Sequence, residues 1–566
     1  MPQPFRLQSI FKLRRNLVTT SRESEFLEFE KSCSLLTRVS VSITSDPSKG
    51  VSTLANHIPR LFPSLSSYSQ SGIRCLVVAS ASSAVARRAQ IVPHFLRRSG
   101  YFPLLCELTD LSPTALQVEA VVEQARRAGA VQLVVAFGSA SVLSVGRAVS
   151  ILLSTHPSSK VRDFVPAMGG KLSLSTDAVP FLAIPSCPAG GVETSRESFI
   201  LHDGTTLASF QSTRTSEQGC FIDPSLSTSL VNTPQLVVNF STLIHCIEAY
   251  TRTDSTSSVR HAAWKSFLLV VKNLSQSLLD PKDLSARSSL LMASSLIGSS
   301  LSTGPLGPSR GIALSIASRY RIPYSSALTA MAPDVIASVA EFLESKLEEE
   351  EEEEEEEGSS EMKWSDNVGL DEKKTIQKSS SWTRKNAFSS PSIRATSSSK
   401  YNRSKIESRP SIEEIRENAL QDRQLEVISK IAKAEAAEEQ EAFNAEEGGS
   451  DIKLAVNRYR HVVYALRCAL TDVTRLDTEL FTLQHVQSLK KDQLGSLLEL
   501  GPLLKELRAC THGFARHGAR VPTLHDFALT DKDINEIADA AEVEENTLSS
   551  LVTLKHRDIV DLIKRS

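Results

Sequence analysis

Between residues 72 and 222 the chain alternates short apolar runs with stretches of helical spacing, and this alternation constrains the fold most. Gly72–Ser80 is a β-branched apolar run of strand length. A helix-like stretch over Val85–Arg98 follows, then a second run at Phe102–Leu108. Ser112–Ala128 has helical spacing, with Ser112 placed to cap a helix that begins at Pro113. Val131–Phe137 and Phe181–Ile184 are further buried-strand runs. Strand, helix and strand at this spacing predict a parallel sheet covered by helices on both faces. Beyond about residue 222 the strand-type runs stop. Helical periodicity covers Pro234–Leu279, Leu284–Ser302, Ser325–Leu347, Ile452–Leu500 and Leu503–His517. The expected order is therefore an α/β part over 38–222, then a helical part over 223–345 and 453–566.

Residues 346–452 interrupt the helical part. Glu348–Glu357 is an unbroken run of glutamates, and Gly358–Pro410 is rich in Ser, Lys and Arg. Ser411–Glu447 is dominated by Ala, Glu and other charged residues. Such composition buries too little apolar surface to offset the entropy of ordering, so a disordered acidic insert is expected, with a docking role for protein partners as its sharper use. The formal net charge of −3 argues against general nucleic-acid binding. No membrane span is expected. Eight scattered cysteines, none in C-x-x-C spacing, read as reduced, buried thiols. Residues 1–24 carry Arg6, Lys12, Arg14, Arg15 and Arg22 before the first acid, Glu23. That pattern is expected of a mitochondrial presequence and implies a matrix location.

Two turns made of small residues carry the chemistry. Val131–Phe137 runs into Gly138-Ser139-Ala140-Ser141 and then a helical pattern. Small residues there let backbone approach a phosphate, and the helix start supplies free N–H groups. Phe181–Ile184 runs into Pro185-Ser186-Cys187-Pro188-Ala189-Gly190-Gly191-Val192-Glu193. Phe221-Ile-Asp-Pro-Ser225 follows, and then the helical stretch Asn239–Tyr250 containing His245 and Glu248.

This order of motifs resembles the iron-containing alcohol dehydrogenases, and among them the maleylacetate reductases. The resemblance covers roughly 38–345 and 455–566, including Val521–Phe527 and Asp558–Ile563. It implies an α/β N-terminal domain with a parallel, dinucleotide-binding-type sheet, followed by an all-helical C-terminal domain: the dehydroquinate synthase-like, iron-type alcohol dehydrogenase fold. It implies NAD(P) as cofactor, bound by Gly138, Ser139, Ala140 and Ser141 of the first turn and by Ser186, Cys187 and Gly191 of the second. The family's Asp and Lys after the first turn fall on Ser144 and Arg147.

The family binds Fe²⁺ or Zn²⁺ through one Asp and three His. Here those positions fall on Ser241, His245, Arg310 and Tyr324, and the nearby cleft His falls on Leu314. An Arg cannot coordinate a cation and repels one, so no iron or zinc is expected. Two functions remain from this reading. One is a catalytically degenerate member with a structural or interaction role in mitochondria. The other is a metal-independent NAD(P)-dependent oxidoreductase on a small carbonyl or alcohol, with Arg310, His245 and Tyr324 as its catalytic residues. Glu248 reads as structural, and the oligomeric state stays open, with a homo-oligomer allowed.

Overall fold

The computed structural model describes residues 26–34, 39–44, 50–68, 72–80, 90–108, 113–164, 177–202, 206–211, 217–301, 307–367, 451–471, 522–527, 529–543 and 556–565, with Thr37 and Leu507. Contacts divide the chain into two compact units: Met1–Ser345 with Gly449–Ser566, and Lys346–Gly448.

Eight strands are described: β1 (Ser40–Ile43), β2 (Arg74–Ser80), β3 (Phe102–Leu108), β4 (Leu133–Gly138), β5 (Phe181–Pro185), β6 (Glu197–His202), β7 (Thr206–Gln211) and β8 (Gln218–Ile222). Six of them form one sheet in the order β1-β8-β5-β4-β2-β3. Every pairing in it is parallel. β4 and β5 are buried along their whole length. Alternate residues face opposite sides: Leu133, Val135 and Phe137 join a core with Leu54, Ile58, Phe62, Leu182 and Phe221. On the other face Gly146 of helix Ala140–Leu153 lies so close to Ala136 that a Cβ would sit 2.5 Å from the alanine's own. The α/β part thus has helices on both faces, as its continuous apolar strands require.

After β8 the described elements are helical. Asn232–Thr251, Ser257–Leu279 and Leu284–Leu301 pack against one another, and Pro308–Tyr320 packs against Asp531–Val543. Arg319 pairs there with Asp533 and Glu536. Helix Asp451–Thr471 returns to this layer, where the Tyr250 hydroxyl and His461 Nδ1 are 2.8 Å apart. The first fold expectation therefore stands: an α/β part with a parallel sheet precedes a helical one.

Several details differ from the sequence reading. The helix after β3 begins at Ala115, not Pro113, because Thr114 forms a reciprocal capping box with Gln117. The single helix expected over Pro234–Leu279 is two. Arg252 leaves the helical region at ψ 136°, and the Thr256 side chain caps the next helix through Val259 N–H. The insert was expected to be disordered from residue 346, yet one helix runs Tyr324–Asn367 through the glutamate run. Glu is a good helix former, so propensity offsets part of the repulsion along the run. Residues 368–450, the presequence stretch 1–24, and His512 and His517 lie outside the described residues. Helix residues Tyr324–Glu353 are apolar and long enough to cross a membrane by length and composition, with 78 % of the most apolar window buried inside the protein. The sequence reading also missed β1, β8 and the antiparallel hairpin β6–β7.

Candidate functional site

β4 ends at Gly138, and Ser139 stands as N-cap of helix Ala140–Leu153 with no side-chain cap hydrogen bond. The turn after β5 is fastened to it, because Ser186 N–H donates to the Gly138 carbonyl at 2.9 Å. Gly191, at φ +95°, comes so near helix Leu284–Leu301 that a Cβ would meet Gly298 N at 2.8 Å. These contacts set Gly138, Ser186 and Gly191 as the frame of the two turns. Ser139, Ala140, Ser141 and Cys187 line the cavity between them.

The cavity has a volume of about 90 Å³. Its remaining wall comes from the helical part and the hairpin. Ser241 and His245 enter from helix Asn232–Thr251, four residues apart and so on one face. Arg310 enters from the first turn of Pro308–Tyr320, and Tyr324 and Ser325 from the start of the next helix. Phe199 of β6 completes it. All four positions that the resemblance assigns to metal ligands, and four of the seven assigned to the cofactor, therefore meet around one space.

Their chemistry is specific. His245 Nδ1 lies 3.0 Å from the Gly190 carbonyl, which can only accept, so Nδ1 carries the proton. Nε2 is then an acceptor and takes the Tyr324 hydroxyl at 3.0 Å. Burial first, and the neighbouring Arg310 charge second, push the His245 pKa down to about 3, against the Gly190 bond. His245 is therefore neutral at physiological pH.

Arg310 is only 1 % exposed. Its guanidinium carbon lies 4.7 Å from the centroid of Phe199. Phe199 stacks on Tyr324 with ring centroids 6.3 Å apart. Behind Arg310, Glu248 Oε1 accepts from Ser309 N–H at 3.2 Å, at the positive end of the same helix. Gly307 makes room for it: a Cβ there would lie 2.7 Å from Oε1. Burial raises the Glu248 pKa to about 7, opposed by the Ser309 bonds and Arg310. Cys187 is buried, and desolvation pushes its thiol up to about 12, so it is not an activated nucleophile.

Two positions behave as fasteners. Arg147 is fully buried and donates to the carbonyls of Val192 (2.8 Å) and Glu193 (3.4 Å), holding the second turn from beneath. Ser144 accepts from Phe199 N–H at 3.4 Å and ties the hairpin to the first helix. Leu314 is buried against Phe199 and Tyr324. Sequence reasoning missed Phe199: a lone aromatic in a hairpin carries no local sign that it will lie beneath a guanidinium.

Among the described residues no group of three or more His, Cys, Asp or Glu side chains is placed to share an ion. The donor set at the four ligand positions is one hydroxyl, one imidazole whose Nε2 already accepts the Tyr324 hydroxyl, one phenol and one guanidinium.

Comparison with known proteins matches the model of the iron-containing alcohol dehydrogenases over residues 55–224. The C-terminal model of the Fe-containing alcohol dehydrogenase family matches 239–363. A probable alcohol dehydrogenase, EutG, of Escherichia coli (strain K12) is 26 % identical over 226 residues, 40 % of this chain and 55 % of that protein. A 4-hydroxybutyrate dehydrogenase of Cupriavidus necator is 27 % identical over 142 residues, 25 % of this chain and 36 % of its own. The chain thus spans about half or less of the length of these relatives. Among solved structures, an alcohol dehydrogenase from Oenococcus oeni superposes with a TM-score of 0.58 at 12 % identity, covering 91 % of this chain and 95 % of that one. NADH-dependent butanol dehydrogenase A from Thermotoga maritima gives 0.56 at 13 % identity, covering 93 % and 96 %. At these identities the superpositions speak to the fold. Together with the family models, which follow one another along the sheet and the helical layer, they make this chain a member of the iron-containing alcohol dehydrogenase superfamily.

Proposed function

We propose that this protein is a metal-free, catalytically degenerate alcohol dehydrogenase-like protein with a structural or interaction role in mitochondria. One observation carries the metal-free part: Arg310, buried and charged, lines the cavity at a position where the family places a ligand. A guanidinium has no lone pair for a cation and repels one in a low-dielectric site. The rest of the donor set does not fit a divalent ion, since a catalytic site needs about three protein ligands. The cavity of about 90 Å³ is also well short of the roughly 300–1,000 Å³ of an ordinary ligand site. The mitochondrial part rests on the arginine-rich, acid-free residues 1–22, and the interaction part on the charged segment 346–452.

Purified protein titrated with NADH and NADPH, and screened with short-chain aldehydes, 2-oxo acids and maleylacetate, tests this reading. The expected result is no turnover, with elemental analysis finding no stoichiometric iron or zinc. About one metal per chain, lost in His245→Ala, would overturn it.

A second reading, a metal-independent NAD(P)-dependent oxidoreductase, is favoured by one observation: the Tyr324–His245–Gly190 hydrogen-bond chain beside a fixed positive charge. A nicotinamide cofactor would supply hydride to a carbonyl carbon. Arg310 would stabilise the developing alkoxide, and the Tyr324 hydroxyl would be the nearest proton donor. Cofactor-dependent turnover that falls about a hundredfold in Arg310→Met, with cofactor affinity retained, would establish this reading in place of the first.

A further inference from the structure

We infer that the helix over residues 26–34 is a displaceable cover on one edge of the six-stranded sheet, and that the edge beneath it pairs with the same edge of a second copy of this chain when the cover lifts. The inference goes beyond the proposed role by naming an interface and the contacts that hold it shut.

The edge comes first. β1 is an outer strand of the sheet and pairs with β8 on one side only. Thr44 N–H turns inward and donates to the Ile222 carbonyl at 3.0 Å. Main-chain groups alternate in direction along a strand, so those of Val41 and Ile43 turn outward. Both residues are buried, at 6 % and 5 % exposure, so an outward N–H without an acceptor is costly there. The far edge, β3, carries Pro103 and Glu107, which discourage a further strand. β1 reads Ser-Val-Ser-Ile and has neither proline nor charge, so nothing in its own sequence repels another strand.

The cover supplies the protection that the sequence of β1 lacks. Glu30 and Ser34 lie four apart, on one helix face. Ser34 Oγ accepts from Val41 N–H at 2.9 Å, and Glu30 Oε1 accepts from Ile43 N–H at 2.7 Å. Two side chains thus stand where the carbonyls of a neighbouring strand would stand. Ser42 Oγ also donates to Glu30 Oε1 at 3.1 Å and lies 2.8 Å from His57 Nδ1. The rest of the helix is lightly seated. Phe29 and Cys33 are its buried residues. The Cys33 thiol reaches the Ser295 carbonyl at 3.5 Å, and Glu28 pairs with Lys265 at 3.8 Å. Nine residues are fewer than the roughly 12–15 that hold a helix in isolation, so this one persists through its contacts.

A second copy fits the uncovered edge by symmetry. With Ser42 of the two copies facing across a two-fold axis, Val41 of each exchanges both main-chain hydrogen bonds with Ile43 of the other. This antiparallel pairing joins two uncharged strands and uses the same outward N–H groups that Ser34 and Glu30 hold in the covered state. Cover and partner therefore compete for the same donors.

The test compares full-length wild type with Glu30→Ala/Ser34→Ala by light scattering over about a hundredfold range of concentration, where association follows mass action. The expected result is one concentration-independent mass for the wild type and a rise to twice that mass for the variant. Adding Ser42→Cys to the variant should give a disulfide-linked dimer under mild oxidation, because directly opposed residues of a non-hydrogen-bonded antiparallel pair lie about 4.5 Å apart at Cα. Glu30→Gln/Ser34→Thr keeps an acceptor at each place and should retain the wild-type mass. An unchanged mass in folded Glu30→Ala/Ser34→Ala, a ladder of larger species, or a doubled mass without the Ser42→Cys link overturns the inference. Should that variant fail to fold, amide exchange of the wild type tests the cover directly. Val41 and Ile43 should exchange at least about tenfold faster than Ser42 and Thr44, whose N–H groups face β8. Equal rates would show an edge that does not open, and would overturn the inference as well.

Discussion

Two buried arginines built from similar parts do different work. Arg147 lies over Phe181 at 4.8 Å and beside Glu193; Arg310 lies over Phe199 at 4.7 Å and near Glu248. Both are almost wholly excluded from solvent. Arg147 points its guanidinium at the carbonyls of Val192 and Glu193 and closes the second turn from below. Arg310 borders a cavity. A buried guanidinium aimed at main-chain carbonyls is a fastener, and its removal strands those acceptors. Residue type and burial do not separate the two roles; the neighbour on the far side does.

The largest expected effect breaks this comparison if it fails. Arg147→Met should destabilise the fold by about 3–5 kcal/mol, because two buried carbonyls lose their donor. Urea denaturation measures it. A loss no greater than that of Arg310→Met would remove the distinction.

The acids sharpen it next. Glu248 has a folded pKa near 7 against 4.5 when unfolded, so the folded state holds its proton more tightly. Its contribution is fully present below about pH 4.5 and is lost as pH rises through 7. Relative to Glu248→Gln, the wild type should lose about 3 kcal/mol across that window. A flat difference between pH 4.5 and 8 in denaturant titrations would contradict the burial argument.

His245, one turn away, has the opposite slope. Its folded pKa of about 3 lies below the unfolded 6.5, so stability is lost as pH falls from 6.5 towards 3. At pH 5 the penalty is about 2 kcal/mol, and His245→Asn should remove it. Between about pH 4.5 and 6.5 the two slopes oppose each other, so the wild type should look less pH-dependent there than either variant.

The smallest expected effect is on the cavity side. Arg310→Met should cost less stability than Arg147→Met, since one side of the Arg310 side chain borders a cavity rather than packed main chain. A loss of several kcal/mol in the same urea experiment would make Arg310 a fastener like Arg147.

What the sequence determined by itself was whatever depends on local order. Uninterrupted apolar runs at β2, β3, β4 and β5 announced a covered parallel sheet, and the spacing of Ser241 and His245 placed both on one helix face. The four ligand positions were legible through the order of motifs, although they come from three helices. The helix start at Thr114 was open to the same reasoning, because Thr and Gln three residues apart form a capping box. Tertiary structure decided the rest. β1 and β8 are strands because each pairs with the sheet, and their four and five residues carry no periodic signal of that length. Gly191 reads as a phosphate-turn glycine, yet its role is set by Gly298, more than a hundred positions away. Phe199 beneath Arg310, Glu248 behind it and Ser241 facing an open space are all relations across elements. Local patterns follow from backbone periodicity and side-chain entropy, which act over a few residues. The charge and solvation of a cavity depend on every wall at once, and here those walls come from the turns after two central strands, a hairpin and the termini or faces of five helices that only the folded chain brings together.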